Sequence, residues 1–195
     1  MIREAIAEVG GQTAECPGDG ELVAAAVRAP SAFGALYERH RPAVSRYLRG
    51  RVESDEAAAD LTAVTFERAL RNLPRYRPTS AGFLPWLLRI AHNAAVDRTR
   101  REQRTTPLEE ILETRLEPAA GGDPETDVLR RAEAAELHRR VDGLGEPAAE
   151  AIVLRYAAGL TARQIGAVIG RSEAATYKIL SRALCELREA YRDYE

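Results

Sequence analysis

The chain has 195 residues, 45% of them hydrophobic, with 28 Lys and Arg against 30 Asp and Glu. That length allows one ordinary domain or two small ones, and the apolar share excludes wholesale disorder. No apolar run approaches the ~20 residues of a membrane-spanning helix, and the first twenty residues lack the basic start and apolar core of a secretory leader.

In chain order, residues 1–30 read as a flexible N-terminal extension, net −3 over 1–32 from two basic and five acidic side chains, with a short amphipathic piece from Glu21 to Arg28. Ser31 is placed to cap a helix carrying Phe33, Leu36, Tyr37, Val44, Tyr47 and Leu48, and Pro42 should kink or interrupt it. Ser54 is the next cap, ahead of Ala58, Leu61, Val64, Thr65, Ala69 and Leu70 at helical spacing. Asn72, Pro74 and Pro78 break the chain, and a further helix runs from about Phe83 to Arg104, with Pro85 tolerable in its first turn. Residues 33–104 carry fourteen basic and eight acidic side chains, net +6.

Residues 105–128 read as a flexible linker, with three Pro and two Gly among acidic residues. Over 105–136, three basic against nine acidic side chains give net −6. Helical spacing resumes over Leu129–Val141, Ala148–Ala157, Thr161–Val168 and Ser172–Tyr191, and residues 137–195 are net +1. The periodicity predicts an all-α protein of two small helical domains, 31–104 and 129–195, joined by the acidic tether. A total charge of −2 counts against nucleic acid, but that total conceals a basic block and an acidic one. Only Lys178 among the cations is lysine. Arginine suits phosphate and base edges, though a genome biased towards Arg and Ala would leave the same mark.

The segment Leu160–Leu180 has the mechanics of a helix-turn-helix. Thr161 caps the first helix, Ile165 and Val168 supply its buried face, and Gly166 permits close approach of the second helix. Gly170 makes the turn and Ser172 caps the second helix, whose Thr176, Ile179 and Leu180 face inward. Arg171, Glu173, Ala174, Tyr177, Lys178 and Arg182 are left for an outer face that a major groove could receive. A plain helical hairpin with a solvated face would share much of this pattern.

The stretch Phe83–Arg104 carries Arg89, His92, Asn93, Arg98, Arg100 and Arg101 beside an apolar stripe of Phe83, Leu87, Ile90 and Ala94, with Trp86 packed next to it. The loop before it, Tyr76-Arg77-Pro78-Thr79-Ser80, joins an aromatic face to a cation and two hydroxyls. Cations for a backbone, aromatic faces for stacking and polar groups for an extruded base are what a single-stranded nucleic-acid site requires. A basic, solvated helix face is the competing reading.

Trp86–Arg101 resembles the W-L-x-R-I-A-x-N-x-x-x-D-x-x-R-R signature of bacterial sigma factors of the extracytoplasmic-function (ECF) class. Phe33–Tyr37, Asp60–Phe66, Leu144–Tyr156 and the helix-turn-helix match the same family in order, over about 33–104 and 129–192. The resemblance implies a region 2 helical bundle that binds core RNA polymerase and melts the promoter −10 element, and a region 4 that reads the −35 element. By motif position it places Asp60, Leu61, Phe66 and Arg68 in the polymerase-binding helix. Tyr76, Arg77, Thr79 and Ser80 would lie in the loop that captures a −10 base, and Arg89, Asn93, Arg98, Arg100 and Arg101 on the promoter-facing helix. Arg171, Ser172, Glu173, Tyr177, Lys178 and Arg182 would form the −35 reading helix. Thr62, Ala63 and Val64 depart from the usual D-L-V-Q-E-T-F, removing polar contacts expected to favour polymerase, and Ala174 and Tyr177 depart in the reading helix.

The implied partners are core RNA polymerase, promoter DNA and an anti-sigma factor, with no metal or nucleotide cofactor, no catalysis, no membrane insertion and a cytoplasmic location. Cys16 and Cys185 have neither CxxC spacing nor a neighbouring His, which argues against a disulfide scaffold or zinc site. A stand-alone helix-turn-helix regulator is the alternative, and it leaves the basic, aromatic 76–104 segment unexplained. An enzyme has no support from a Gly-rich phosphate loop, HExxH or GxSxG, and His40, His92 and His138 read as scattered surface residues.

Overall fold

The computed structural model describes residues 17–52, 54–105 and 136–192, and every regular element among them is helical. The first bundle comprises α1 (Asp19–Arg28), α2 (Phe33–Arg49), α3 (Asp55–Asn72) and α4 (Phe83–Thr105). The second comprises α5 (136–143), α6 (Ala148–Tyr156), α7 (Ala162–Ile169) and α8 (Glu173–Arg192). The expected linker, 105–128, lies almost wholly outside the described residues, as do Cys16 and the start of the helix expected at Leu129.

Helix α1 falls inside the segment expected to be a flexible extension. It buries Leu22, Val23 and Ala26, and its Asp19 carboxylate accepts from Arg39 Nη1 at 3.0 Å and lies 3.1 Å from His40 Nε2. His40 is therefore a buried residue tied to α1, not a surface histidine.

One local expectation fails at α2, and a second is met without a break in the helix. Ser31 does not cap it, because Pro30–Ala32 form a 3-10 turn that leads directly into the helix from Ala32. Pro42 does not interrupt it, and α2 runs unbroken to Arg49. A proline ring removes one N–H and leaves the carbonyl four residues earlier without its helical partner. Here both Pro42 and Glu38 lie on the exposed side, where water can serve that carbonyl. The opposite side holds the bundle, through buried Phe33, Leu36, Val44, Tyr47 and Leu48.

Ser54 caps α3 as expected, its side chain accepting from the Ala57 N–H at 3.1 Å. Thr62 and Thr65 are buried and donate to the carbonyls of Ala58 and Leu61, both at 2.7 Å, which satisfies their hydroxyls inside the core. The ion pair of Arg68 Nη1 with Asp97 Oδ2, at 3.2 Å, joins α3 to α4.

In the second bundle a capping box starts α7. Thr161 Oγ1 accepts from the Gln164 N–H, and the Gln164 side chain accepts from the Thr161 N–H. Gly170 ends α7 at φ 68°, the left-handed conformation open to glycine. A Cβ at Gly166 would stand 2.5 Å from the Arg171 carbonyl oxygen and 3.1 Å from Thr176 Oγ1, so only glycine allows α8 to start this close to α7. Arg140 donates to the Ala190 carbonyl and ties α5 to the far end of α8.

Helix α6 buries six residues in succession, Ala149 to Leu154, Glu150 included. A helix covered on all sides must lie between partners. It packs on α7 and α8, and its other side meets the first bundle.

Replacing Gly166 by Val should lower stability by about 1–3 kcal/mol through overpacking against the Arg171 backbone. Urea unfolding reads this as a lower midpoint at unchanged slope, and an unchanged midpoint would contradict the close approach of α7 and α8.

Candidate nucleic-acid interface

The loop between the 3-10 turn Leu73–Arg75 and α4 stands on an aromatic base. Tyr76 lies edge-on to Phe83 at 5.4 Å between ring centroids and 4.9 Å from Trp86, and Phe83 and Trp86 are 5.2 Å apart. Tyr76 is 9% exposed, so it belongs to this base and does not offer a free stacking face. Arg77, Thr79 and Ser80 are exposed above it, and Trp86 keeps one edge accessible.

Helix α4 has ~3.6 residues per turn, which sorts its polar residues by face. Arg89, Asn93 and Arg100 fall within about 40° of one another at ~100° per residue and are all exposed. Arg98 falls about 180° from Arg89 by the same rotation and is half-buried, so it does not share that stripe; Arg101 lies between the two faces. A cavity of about 340 Å³ opens beside the stripe, lined by Asn72, Arg75, Trp86, Arg89, Ile90 and Asn93.

A second cleft, about 670 Å³, brings together residues the sequence places far apart. Its walls include Tyr76, Arg77, Thr79, Ser80, Trp86 and Arg89 from the first bundle and Arg163, Arg171 and Glu173 from the second. Arg163 Nη2 donates to Ser80 Oγ at 2.6 Å, and Gln164 Nε2 donates to the Ala81 carbonyl at 3.2 Å.

On α8 the inward residues are Thr176 and Leu180, with Ile179 half-buried. Arg171, Ser172, Glu173, Ala174, Tyr177, Lys178 and Arg182 are exposed, the outer face expected from the sequence. Tyr177 is 58% exposed, unusual for a tyrosine with no polar partner to satisfy in the interior. Ser172 Oγ accepts from the Ala175 N–H at 3.2 Å, capping the helix.

The expected polymerase-binding residues separate by burial. Asp60 is exposed and Arg68 half-exposed against Asp97. Leu61 and Phe66 are buried, Phe66 with its ring 6.2 Å from Phe33 and 4.7 Å from Tyr37. They pack inside the first bundle and shape α3 from within, while Asp60 and Arg68 are the members of the set that reach the surface. Among the three departures from the family pattern only Ala63 is exposed, since Thr62 is buried and Val64 half-buried. The loss of polar contacts on this face is therefore smaller than the sequence suggests.

Sequence reading missed the junction between the bundles. The Glu150 side chain is 1% exposed, and its carboxylate accepts from Tyr47 Oη at 2.7 Å and lies 3.1 Å from His92 Nδ1. Arg51 Nε approaches its second oxygen at 3.2 Å, without the alignment of a hydrogen bond, and Arg51 Nη2 donates to Glu146 at 2.7 Å. Burial would raise the Glu150 pKa, but His92, Arg51 and the Tyr47 hydroxyl together hold it below the usual carboxylate range. The hydrogen bond to Glu150 outweighs burial at His92 and raises its pKa. Burial and the neighbouring Glu150 push Tyr47 well above the usual phenol range, which keeps it a neutral donor. The available signal was one acid inside the apolar run Ala148–Leu154.

Residues 36–105 match the family description Sigma-70 region 2. The RNA polymerase sigma factor CarQ of Myxococcus xanthus is 32% identical over 86% of this chain and 93% of its own length. The ECF RNA polymerase sigma factor SigK of Mycolicibacterium vanbaalenii is 32% identical, over 75% of each chain. The chain belongs to the ECF RNA polymerase sigma factors. It directs transcription initiation, and the stand-alone regulator is not favoured. The ECF sigma factor BldN of Streptomyces coelicolor is also 32% identical, and this sigma factor spans 61% of its length. Among solved structures, CnrH in complex with the cytosolic domain of CnrY gives a TM-score of 0.65 at 25% identity, covering 89% of this chain and 96% of that one. The sigma factor RpoE of Bartonella quintana, in complex with the anti-sigma factor NepR, gives 0.62 at 20% identity, covering 82% and 96%, a likeness of fold.

Phe66→Ala should cost about 3–5 kcal/mol as a core truncation, whereas Asp60→Ala should stay within about 0.5 kcal/mol. Thermal unfolding of both variants checks this, and a stable Phe66→Ala protein would return Phe66 to the surface.

Proposed function

We propose that this sigma factor divides promoter recognition between its bundles. The first domain, 31–104, binds core RNA polymerase and opens the −10 element. The tether 105–128 follows, and the second domain, 129–195, reads the −35 element as duplex. The observation that carries this is the pairing of two unlike surfaces in one chain: a basic loop on an aromatic base continuing into the Arg89–Asn93 stripe, and a capped recognition helix with an exposed outer face.

In the first domain, a base pulled from the −10 duplex enters the cleft above Trp86, where Arg77, Thr79 and Ser80 supply donors. Arg89, Asn93, Arg100 and Arg101 follow the strand backbone along about 18 Å of helix, at ~1.5 Å per residue. Arg98, on another face, supports α4 or meets the opposite strand. In the second domain, Arg171, Lys178 and Arg182 hold phosphates, while Ser172, Glu173 and Tyr177 meet base edges in the major groove. The exposed side of α3, with Asp60, meets polymerase. Binding energy performs all of this, so the chain catalyses no reaction and needs no metal or nucleotide. It acts in the cytoplasm, and no described helix is long and apolar enough to cross a membrane. Relatives solved with CnrY and NepR support an anti-sigma partner for this chain also.

Transcription with core RNA polymerase on a promoter library tests the reading, and duplex binding without polymerase binding would overturn it. Arg89→Ala and Asn93→Ala should reduce promoter opening, read by permanganate footprinting, at least tenfold more than holoenzyme binding to duplex. Lys178→Ala should alter −35 selection and lower the salt slope of duplex binding by about 1 while polymerase pull-down persists; a lost pull-down would contradict its placement.

A further inference from the structure

We infer that Glu150 is an interdomain latch that holds this sigma factor in a self-covered resting state, with the −10 loop and the start of the −35 helix turned onto one another.

The cover is direct. Arg163 of α7 bonds Ser80 at 2.6 Å, and Gln164 bonds the Ala81 carbonyl at 3.2 Å, so the helix preceding the −35 reader closes on the −10 loop. The two promoter elements lie about 25 base pairs apart, roughly 85 Å of duplex at ~3.4 Å per step. A chain whose readers line one cleft cannot engage both at once, so the arrangement must open for promoter recognition. The roughly 30 residues between α4 and α5 have a contour length of about 100 Å, enough for the separation.

The latch has the chemistry of a reversible joint. Glu150 is 1% exposed and held by Tyr47 and His92 from α2 and α4, with Arg51 beside it. Taking a carboxylate out of water is costly, and its partners offset that cost only while all are in place. When the bundles part, Glu150, Tyr47, His92 and Arg51 all regain water, so opening strands no buried charge. An apolar residue at 150 would leave His92 and Arg51 without the carboxylate that meets them in the closed form. At the rim, Arg46 Nε donates to the Ala157 carbonyl at 3.1 Å.

The joint also titrates. The groups that face His92 across it are Glu150 and Glu146 from the second bundle, Tyr47 from α2 and Arg51 from the turn that follows α2. Arg163 of α7 lies beyond them, at the start of α4. The raised His92 pKa means that its contribution to closure is complete below the ordinary 6.5 and is lost as pH rises through the raised value. The lowered Glu150 pKa means that its contribution is present above the ordinary 4.5 and is lost as pH falls through the lowered value. Closure is tightest between 4.5 and 6.5 and loosens on the alkaline side.

The test uses the full chain with Cys16 and Cys185 replaced by Ser and spin labels at Ala59→Cys and Glu186→Cys, read by pulsed dipolar spectroscopy with far-UV circular dichroism. At pH 6 the parent should give one narrow distance distribution matching the structure. Glu150→Ala should lose that population to a broad, longer one with helical content retained. Tyr47→Phe combined with His92→Ala removes the partners from the other bundle and should do the same, which keeps the test intact if either protein misfolds. Raising the parent to pH 8.5 should reduce the short-distance population, and His92→Gln should abolish that dependence. An unchanged distribution in the variants, or a broad one in the parent at pH 6, overturns the latch. The distances report closure whether or not the loop and helix read DNA, so failure here is separable from failure of the promoter assignments.

Discussion

A carboxylate with 1% of its side chain exposed must be met on every side, and the rest of this molecule is arranged around that requirement at Glu150. Helix α6 is buried over six consecutive residues, and a run so enclosed would ordinarily be wholly apolar. Placing one acid within it forces the surfaces opposite to supply donors in register. Tyr47 and His92 meet that demand from two different helices, at 2.7 and 3.1 Å, and so fix both the distance and the rotation of the second bundle on the first. Apolar contact alone would be indifferent to that rotation. The cleft between the loop after Tyr76 and the start of α8 is a consequence of this orientation.

What could be read from the sequence was local, and what could not was long-range. Ser54, Thr161 and Gly170 announce helix ends through bonds made within four residues, and the structure places each as its chemistry requires. The aromatic and basic residues around Tyr76–Asn93 were legible as a site because they cluster in the chain. A family motif mixes surface residues with those that hold the helix in place, and the burial of Leu61 and Phe66 beside an exposed Asp60 is legible only in the fold. The family motif sets Arg98 beside Arg89 in the chain, and the turn of the helix carries them to opposite faces. The Tyr47–Glu150 bond joins residues 103 apart, and no periodicity within either helix reveals it. Pro42 does not end α2, because the carbonyl it orphans faces water while buried residues on the opposite side hold the helix in the bundle.

The near-neutral total charge acquires meaning only when divided. The block of 33–104 is net +6 and the block of 105–136 is net −6, so the basic half is balanced within the same chain. A free-standing DNA binder gains affinity from excess positive charge and also binds everywhere. A subunit carried to promoters by polymerase needs local positive surface and little overall excess, which is the distribution found here.

Gly50, at the end of α2, stands where a Cβ would be 2.9 Å from Val153 Cγ1 of α6. Its backbone, at φ −78° and ψ 0°, suits other residues equally well, so nothing in α2 itself demands glycine. The closest atom to the missing side chain belongs to the other bundle, ahead of the Tyr47 carbonyl of α2 at 3.3 Å. A single methyl group at this position would press on Val153 and act as a shim between the two halves. The balance between shut and open forms could thus be tuned, by natural drift or by design, through one methyl group at the contact between the bundles.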